Sequence, residues 1–159
     1  MSDRRVISDY VNSLLLEEVT NRCPLCGKFE GTLDRFTNHH INHDSSKYEY
    51  WNLIRICKPC HAKIEKYKND GRRDRKLWKV KRALFRNLIG SAAYDTLMMA
   101  HQFDVTSTLP GLARTLLKME LVSLEQANSM KVGVGNHPTI SAFRISQKGK
   151  DLVEKLNLI

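Results

Sequence analysis

Four of the six histidines in this 159-residue chain fall between positions 39 and 61, and all four cysteines fall between 23 and 60. The cysteines form two Cys-x-x-Cys pairs, Cys23/Cys26 and Cys57/Cys60. The opening MSDRRVISDY has no apolar run of the kind that directs export, so disulfides are not expected. Two thiolate pairs that can close around a tetrahedral ion are the usual layout of a structural zinc site, where the metal replaces core volume that a short, loop-rich segment cannot supply. The histidines point to a second kind of chemistry. Hydrolysis of a phosphodiester needs a general base near neutral pH and a divalent cation to polarise the phosphate, and imidazole serves both tasks. His39 and His40 are adjacent, so on a strand they point to opposite faces and share one cleft only if a twist or bend brings them together. His61 directly follows Cys60, so a metal-clamped knuckle would hold it at the start of a helix, placed to offer a second nitrogen to a cation.

The ordered pattern Cys-x-x-Cys, AsnHisHisIle at 38 to 41, AsnLeu at 52 and 53, and CysLysProCysHis at 57 to 61 resembles the HNH endonuclease family in its zinc-containing ββα-metal form. The likeness covers residues 23 to 69. It implies that His40 is the general base, that His39 and His61 bind the catalytic cation, and that Asn52 braces the loop opposite the base or touches the metal. It also implies that Cys23, Cys26, Cys57 and Cys60 hold the structural zinc. His43 falls outside the pattern, and its role stays open between ligand, phosphate contact and none. The implied reaction is in-line attack by water, leaving a 5′-phosphate and a 3′-hydroxyl. The implied catalytic cation is Mg²⁺ or Mn²⁺, with Ni²⁺ or Zn²⁺ as alternatives; two imidazoles suit the softer ions better than Mg²⁺.

These residues need elements to hold them. Ile7, Tyr10, Val11, Leu14 and Leu15 share one face of an amphipathic helix over 4 to 20. Pro24 and Gly27 shape a tight knuckle. Leu33, Phe36, Thr37 and Ile41 predict a short hairpin between Gly31 and Asn42, and Cys60 to Asn69 has helical composition, giving a ββα order. AsnAspGly at 69 to 71 signals a break. A second helix over 74 to 89 carries Leu77, Val80, Leu84 and Leu88 on one side and Arg75, Lys79, Arg82 and Arg86 on the other. Helices at 91 to 102 and 109 to 119 are expected around a turn at Asp104 to Thr108. Two β-like runs, 121 to 126 and 140 to 146, flank a Gly/Asn/Pro-containing stretch at 133 to 138, and a helix from Gln147 to Leu156 closes the chain. That order suits a winged helix-turn-helix, and the segment 141 to 152 resembles the wing strand and following helix of bacterial winged-helix proteins. The likeness would make Leu109 to Met119 the recognition helix, with Arg114 and Lys118 reaching a groove.

The expected architecture is therefore α+β: an HNH module with its N-terminal helix over 1–70, a basic helical connector over 71–90, and a mainly helical, winged-helix-like DNA-binding domain over 91–159. Composition agrees with a polyanionic partner, since 26 Lys+Arg oppose 17 Asp+Glu for a net +9. Twelve of the basic residues and three of the acidic ones lie between Lys58 and Arg86, so one segment carries an excess as large as that of the whole chain. The longest apolar runs are far shorter than a membrane span. The sequence expectation is an intracellular, cytoplasmic, bacterial or phage-encoded endonuclease acting on double-stranded DNA, of phage, restriction, homing or defence type, with a homodimer left open. Its competitor is a zinc-containing transcriptional regulator that binds DNA without cutting it. RNA is a third polymer the site does not exclude. Trp51 and Trp78 read as packing residues, and His101 and His137 lie apart from the cluster.

Overall fold

The computed structural model describes residues 6–67, 71–125 and 141–156. Among them the chain is a mixed α+β protein with six α-helices and two small antiparallel sheets. It divides into two compact units, residues 1–88 and 89–159.

The first unit opens with α1 (Asp9–Val19), started by Ser8, whose hydroxyl accepts from the Val11 N–H, and ended by Thr20 in a left-handed conformation. Leu14, Leu15 and Val19 bury its inner face. The expected hairpin within 31 to 42 is only half present. Leu33 is exposed, and the strand is confined to β1 (Thr37–His40), whose partner is β2 (Leu53–Ile56), reached through a long loop and a 3-10 turn at Tyr50–Asn52. LeuIleArgIle is a short apolar run that periodicity alone does not assign to strand or helix. Leu53, Ile54 and Ile56 are fully buried, and pairing with β1 makes the run a strand. Then comes α2 (Lys58–Glu65), with Pro59 in its first turn, where a missing N–H costs nothing. The break signal at 69 and 70 lies outside the described residues.

The basic helical connector expected over 71–90 falls in the first unit as far as Leu88. It begins at Gly71, as α3 (Gly71–Ile89), and Leu77 joins Cys23, Phe36, Ile41, Ile54, Ile56, Cys57 and Ile64 in one core. Further along, Phe85 lies beside Tyr50, with ring centroids 6.3 Å apart. Lys81, one of the twelve basic residues between Lys58 and Arg86, is wholly buried and ion-paired with Glu18 of α1 at 2.8 Å.

The second unit contains α4 (Ser91–Phe103), β3 (Val105–Thr108), α5 (Pro110–Lys118), β4 (Val122–Leu124), β5 (Ser141–Ile145) and α6 (Gln147–Leu156). Residues 105 to 108, expected to be a turn, form an edge strand. The sheet order is β3-β5-β4, so β5, the most apolar, takes the centre. One helix separates β3 from β4. α6 packs close against the chain before β4: a Cβ on Gly149 would sit 2.2 Å from the Leu121 carbonyl oxygen. His137 and the Gly/Asn/Pro stretch at 133 to 138 lie outside the described residues.

Candidate metal centres

Among the described residues, two clusters of metal-ligating side chains form in the first unit. In one, the sulfurs of Cys23, Cys26, Cys57 and Cys60 all lie within 4.8 Å of one another. The knuckle follows from local hydrogen bonding: Cys23 N–H donates to the Lys28 carbonyl, Gly27 N–H donates back to the Cys23 carbonyl, and Gly27 takes a positive φ of 74°. Cys57 caps α2, which turns Cys60 toward the first pair. All four thiols are free, with Cys26 and Cys57 Sγ 3.6 Å apart, well beyond an S–S bond. Burial raises Cys23, but backbone hydrogen bonds from Cys57, Leu25 and Cys26 outweigh it and bring its thiol down to about 7. Burial, with the neighbouring thiols adding to it, pushes Cys60 up. Four crowded sulfurs cannot all ionise by themselves, and a bound cation is what would let them.

The second cluster is built from His39 of β1 and His61 and Glu65 of α2, whose ligand atoms also lie within 4.8 Å of one another. Glu65 Oε1 stands 3.3 Å from His39 Nδ1 and 3.9 Å from His61 Nε2, spacings that ligands of one ion adopt. The His39 and His61 rings meet edge to face at 5.2 Å. His39 is buried, and desolvation first, then repulsion by His61 partly offset by the Glu65 carboxylate, brings its imidazole down to about 4. It is neutral at pH 7, the form that binds a metal. Glu65 was missing from the sequence reading. One signal was there to find it, because His61 and Glu65 stand one helical turn apart on the same face.

His40 stands apart from these three. Its ring packs edge-on against Tyr48 at 5.3 Å, and its Nε2 is buried with no hydrogen-bond partner among the described residues. Burial lowers its basicity, and the nearby Asp44 carboxylate offsets part of that. Asn52 is fully buried in the 3-10 turn: its Oδ1 accepts from Asn42 N–H at 3.0 Å, its Nδ2 donates to the Lys47 carbonyl at 3.0 Å, and its own carbonyl accepts from Ile41 N–H. One side chain thus ties together both ends of the loop that follows His40. His43, in that loop, has a positive φ of 59°, contacts the His39 ring edge-on at 5.4 Å, and pairs through Nε2 with Asp74 Oδ1 of α3 at 3.2 Å.

Of the cations singled out in the sequence, Arg75, Lys79 and Arg86 are exposed and Arg82 is half-buried along α3, while Arg114 and Lys118 are exposed on α5. Trp51 and Trp78, expected to pack, stack on each other at 6.0 Å. No family model, no curated protein and no solved structure matches the chain. Among the described residues no helix is long and apolar enough to cross a membrane.

Proposed function

We propose that the chain is a metal-dependent DNA endonuclease of the HNH type, in which a zinc-bound Cys23/Cys26/Cys57/Cys60 set braces a catalytic ββα unit. The observation that carries the reading is the convergence of His39, His61 and Glu65 at the junction of β1 and α2, next to a second, all-thiol cluster that fixes where α2 begins. Four sulfurs suit zinc on softness and number, and the 3.6 Å separation of Cys26 and Cys57 Sγ is close to the edge of a tetrahedron with Zn–S bonds of about 2.3 Å. A two-nitrogen, one-carboxylate set suits Mn²⁺, Ni²⁺ or Zn²⁺, and Mg²⁺ less well.

When bound, the catalytic cation would polarise the scissile phosphate and stabilise the leaving oxygen. The remaining roles belong to the protein. His40, neutral and with Nε2 uncommitted, accepts the proton of the attacking water. Asn52 holds the loop after His40 in one conformation, and Glu65 orients His39 through Nδ1 or shares its ion. Cations of α3 supply phosphate contacts, and the second unit adds whatever sequence preference exists, with Arg114 and Lys118 of α5 as its reading residues in a winged-helix-like arrangement.

The test is incubation of the wild type and His40→Ala with supercoiled plasmid across Mg²⁺, Mn²⁺, Ni²⁺ and Zn²⁺. The expected result is metal-dependent nicking or linearisation by the wild type and a loss of about 10²- to 10⁴-fold in His40→Ala. DNA binding without cleavage under every metal favours the non-catalytic regulator.

A further inference from the structure

The cations of α3 do not all lie on one side. Arg75, Lys79, Arg82 and Arg86 form one flank, whereas Arg73 and Lys76 form another, about a third of a turn away around the axis. The second flank borders a cavity of about 400 Å³ between α2 and α3, floored by Ile64 and Leu77 and rimmed by Lys63, Arg73 and Lys76. No carboxylate lines it among the described residues. Arg73 is held in place there. Its guanidinium lies over the Tyr67 ring at 3.9 Å, and its Nη1 donates to the Lys63 carbonyl at 3.3 Å. Lys63 and Lys76 are exposed and make no ion pair with a described residue.

We infer that this three-cation cavity, rather than the outward stripe of α3, is where the first unit grips the phosphate backbone of duplex DNA. Charge complementarity is the argument. Three converging cations, one of them fixed by an aromatic face and a carbonyl, form a concave site for a phosphodiester. The identity of the polyanion rests on the nuclease reading. On α2, Lys63 lies on the side opposite His61 and Glu65, so the cavity and the histidine cluster occupy different faces of that helix. The two thiols that also line the cavity, Cys26 and Cys60, supply the competing explanation, in which the cations only balance the charge of a metal-bound tetrathiolate.

The experiment measures duplex-oligonucleotide binding by fluorescence anisotropy at several salt concentrations, using the zinc-loaded full chain without added divalent cation. Wild type is compared with Lys63→Gln/Lys76→Gln and with Arg75→Gln/Lys79→Gln, which removes the same charge from the stripe. Loss of two phosphate contacts makes the plot of log K against log salt shallower by about 2. That change is expected for the first pair, with a clearly smaller one for the second. Equal changes, or no change in the first pair, overturn the inference. An unchanged slope accompanied by faster zinc loss to a chelator overturns it in favour of charge balance at the thiolates. Lys63→Arg/Lys76→Arg should restore the slope. A wild type that binds no duplex removes the DNA reading along with this site. One that binds and nicks DNA while the first pair changes nothing removes only this site.

Discussion

Replacing Lys81 with Met should be among the most damaging single changes in the first unit, although in the sequence Lys81 is one of twelve basic residues in a strongly charged stretch. Its amine is 0% exposed, 2.8 and 2.9 Å from the two carboxylate oxygens of Glu18, and 3.6 Å from the centre of the Tyr50 ring. Tyr50 donates its hydroxyl to the same carboxylate, so α1, the 3-10 turn and α3 meet at one charge. Lys81→Met keeps the volume but leaves Glu18 buried with one neutral donor. Breaking a buried pair from one side costs about 3–5 kcal/mol, a large share of the roughly 5–15 kcal/mol that holds a domain together. Replacing both partners should cost less. Burial is the largest influence on each group, raising the Glu18 carboxyl and bringing the Lys81 amine down to about 8, so the pair pays more in desolvation than its attraction returns. Glu18→Leu/Lys81→Met removes both charges but leaves the Tyr50 hydroxyl without its acceptor, so it is expected to fall about 1–3 kcal/mol below wild type and above the single variant. The sign of the pH dependence follows. Between about 8 and 10.5 the unfolded chain holds a proton on Lys81 that the folded chain has released, so stability rises with pH in that window. The double variant loses this rise. The assay is urea unfolding by circular dichroism at fixed zinc concentration, at pH 7 and pH 9.5. A single variant that loses less than 1 kcal/mol, or a double variant as damaged as the single, refutes the reasoning.

Gly149→Ala should destabilise the second unit by about 1–3 kcal/mol, because the new methyl would meet the Leu121 carbonyl oxygen at 2.2 Å and the Ile145 side chain at 2.8 Å; thermal melting checks this, and an unchanged midpoint contradicts it. Asn52→Ala removes the bonds to Asn42 and Lys47 and should lower cleavage by an order of magnitude or more while zinc content stays at wild type. Equal kcat in plasmid nicking would show that the loop holds its shape without them.

The cysteine pairs and the histidine cluster were legible because ligand spacing is a local property: Cys-x-x-Cys and the Cys60-His61 step predict a knuckle and a helix start whatever surrounds them. β2 was not, since LeuIleArgIle carries no period that separates strand from buried helix, and only its pairing with β1 decides. Glu65 was legible in principle, one turn after His61, but a lone glutamate among Lys63 and Lys66 looks like a solvated charge. Lys81 was beyond reach. Its partner lies 63 positions earlier in α1, and nothing local distinguishes a buried lysine from its exposed neighbours Lys79 and Arg86. The close approach of Gly149 to Leu121 is likewise a tertiary contact between segments that carry no shared pattern. In the second unit the element order was largely readable, and the missed strand β3 is an edge of four residues whose ValThrSerThr composition fits turn and strand alike.

The proposal stands or falls on whether one cation gathers His39, His61 and Glu65. Crystals of the zinc-loaded protein grown with Mn²⁺, measured at the manganese absorption edge, test this directly. The account predicts an anomalous peak within bonding distance of His39, His61 and the Glu65 carboxylate, separate from the zinc at the four cysteines, with His40 left unliganded. Manganese absent from that position, or a cation that takes His40 as a ligand, would contradict it.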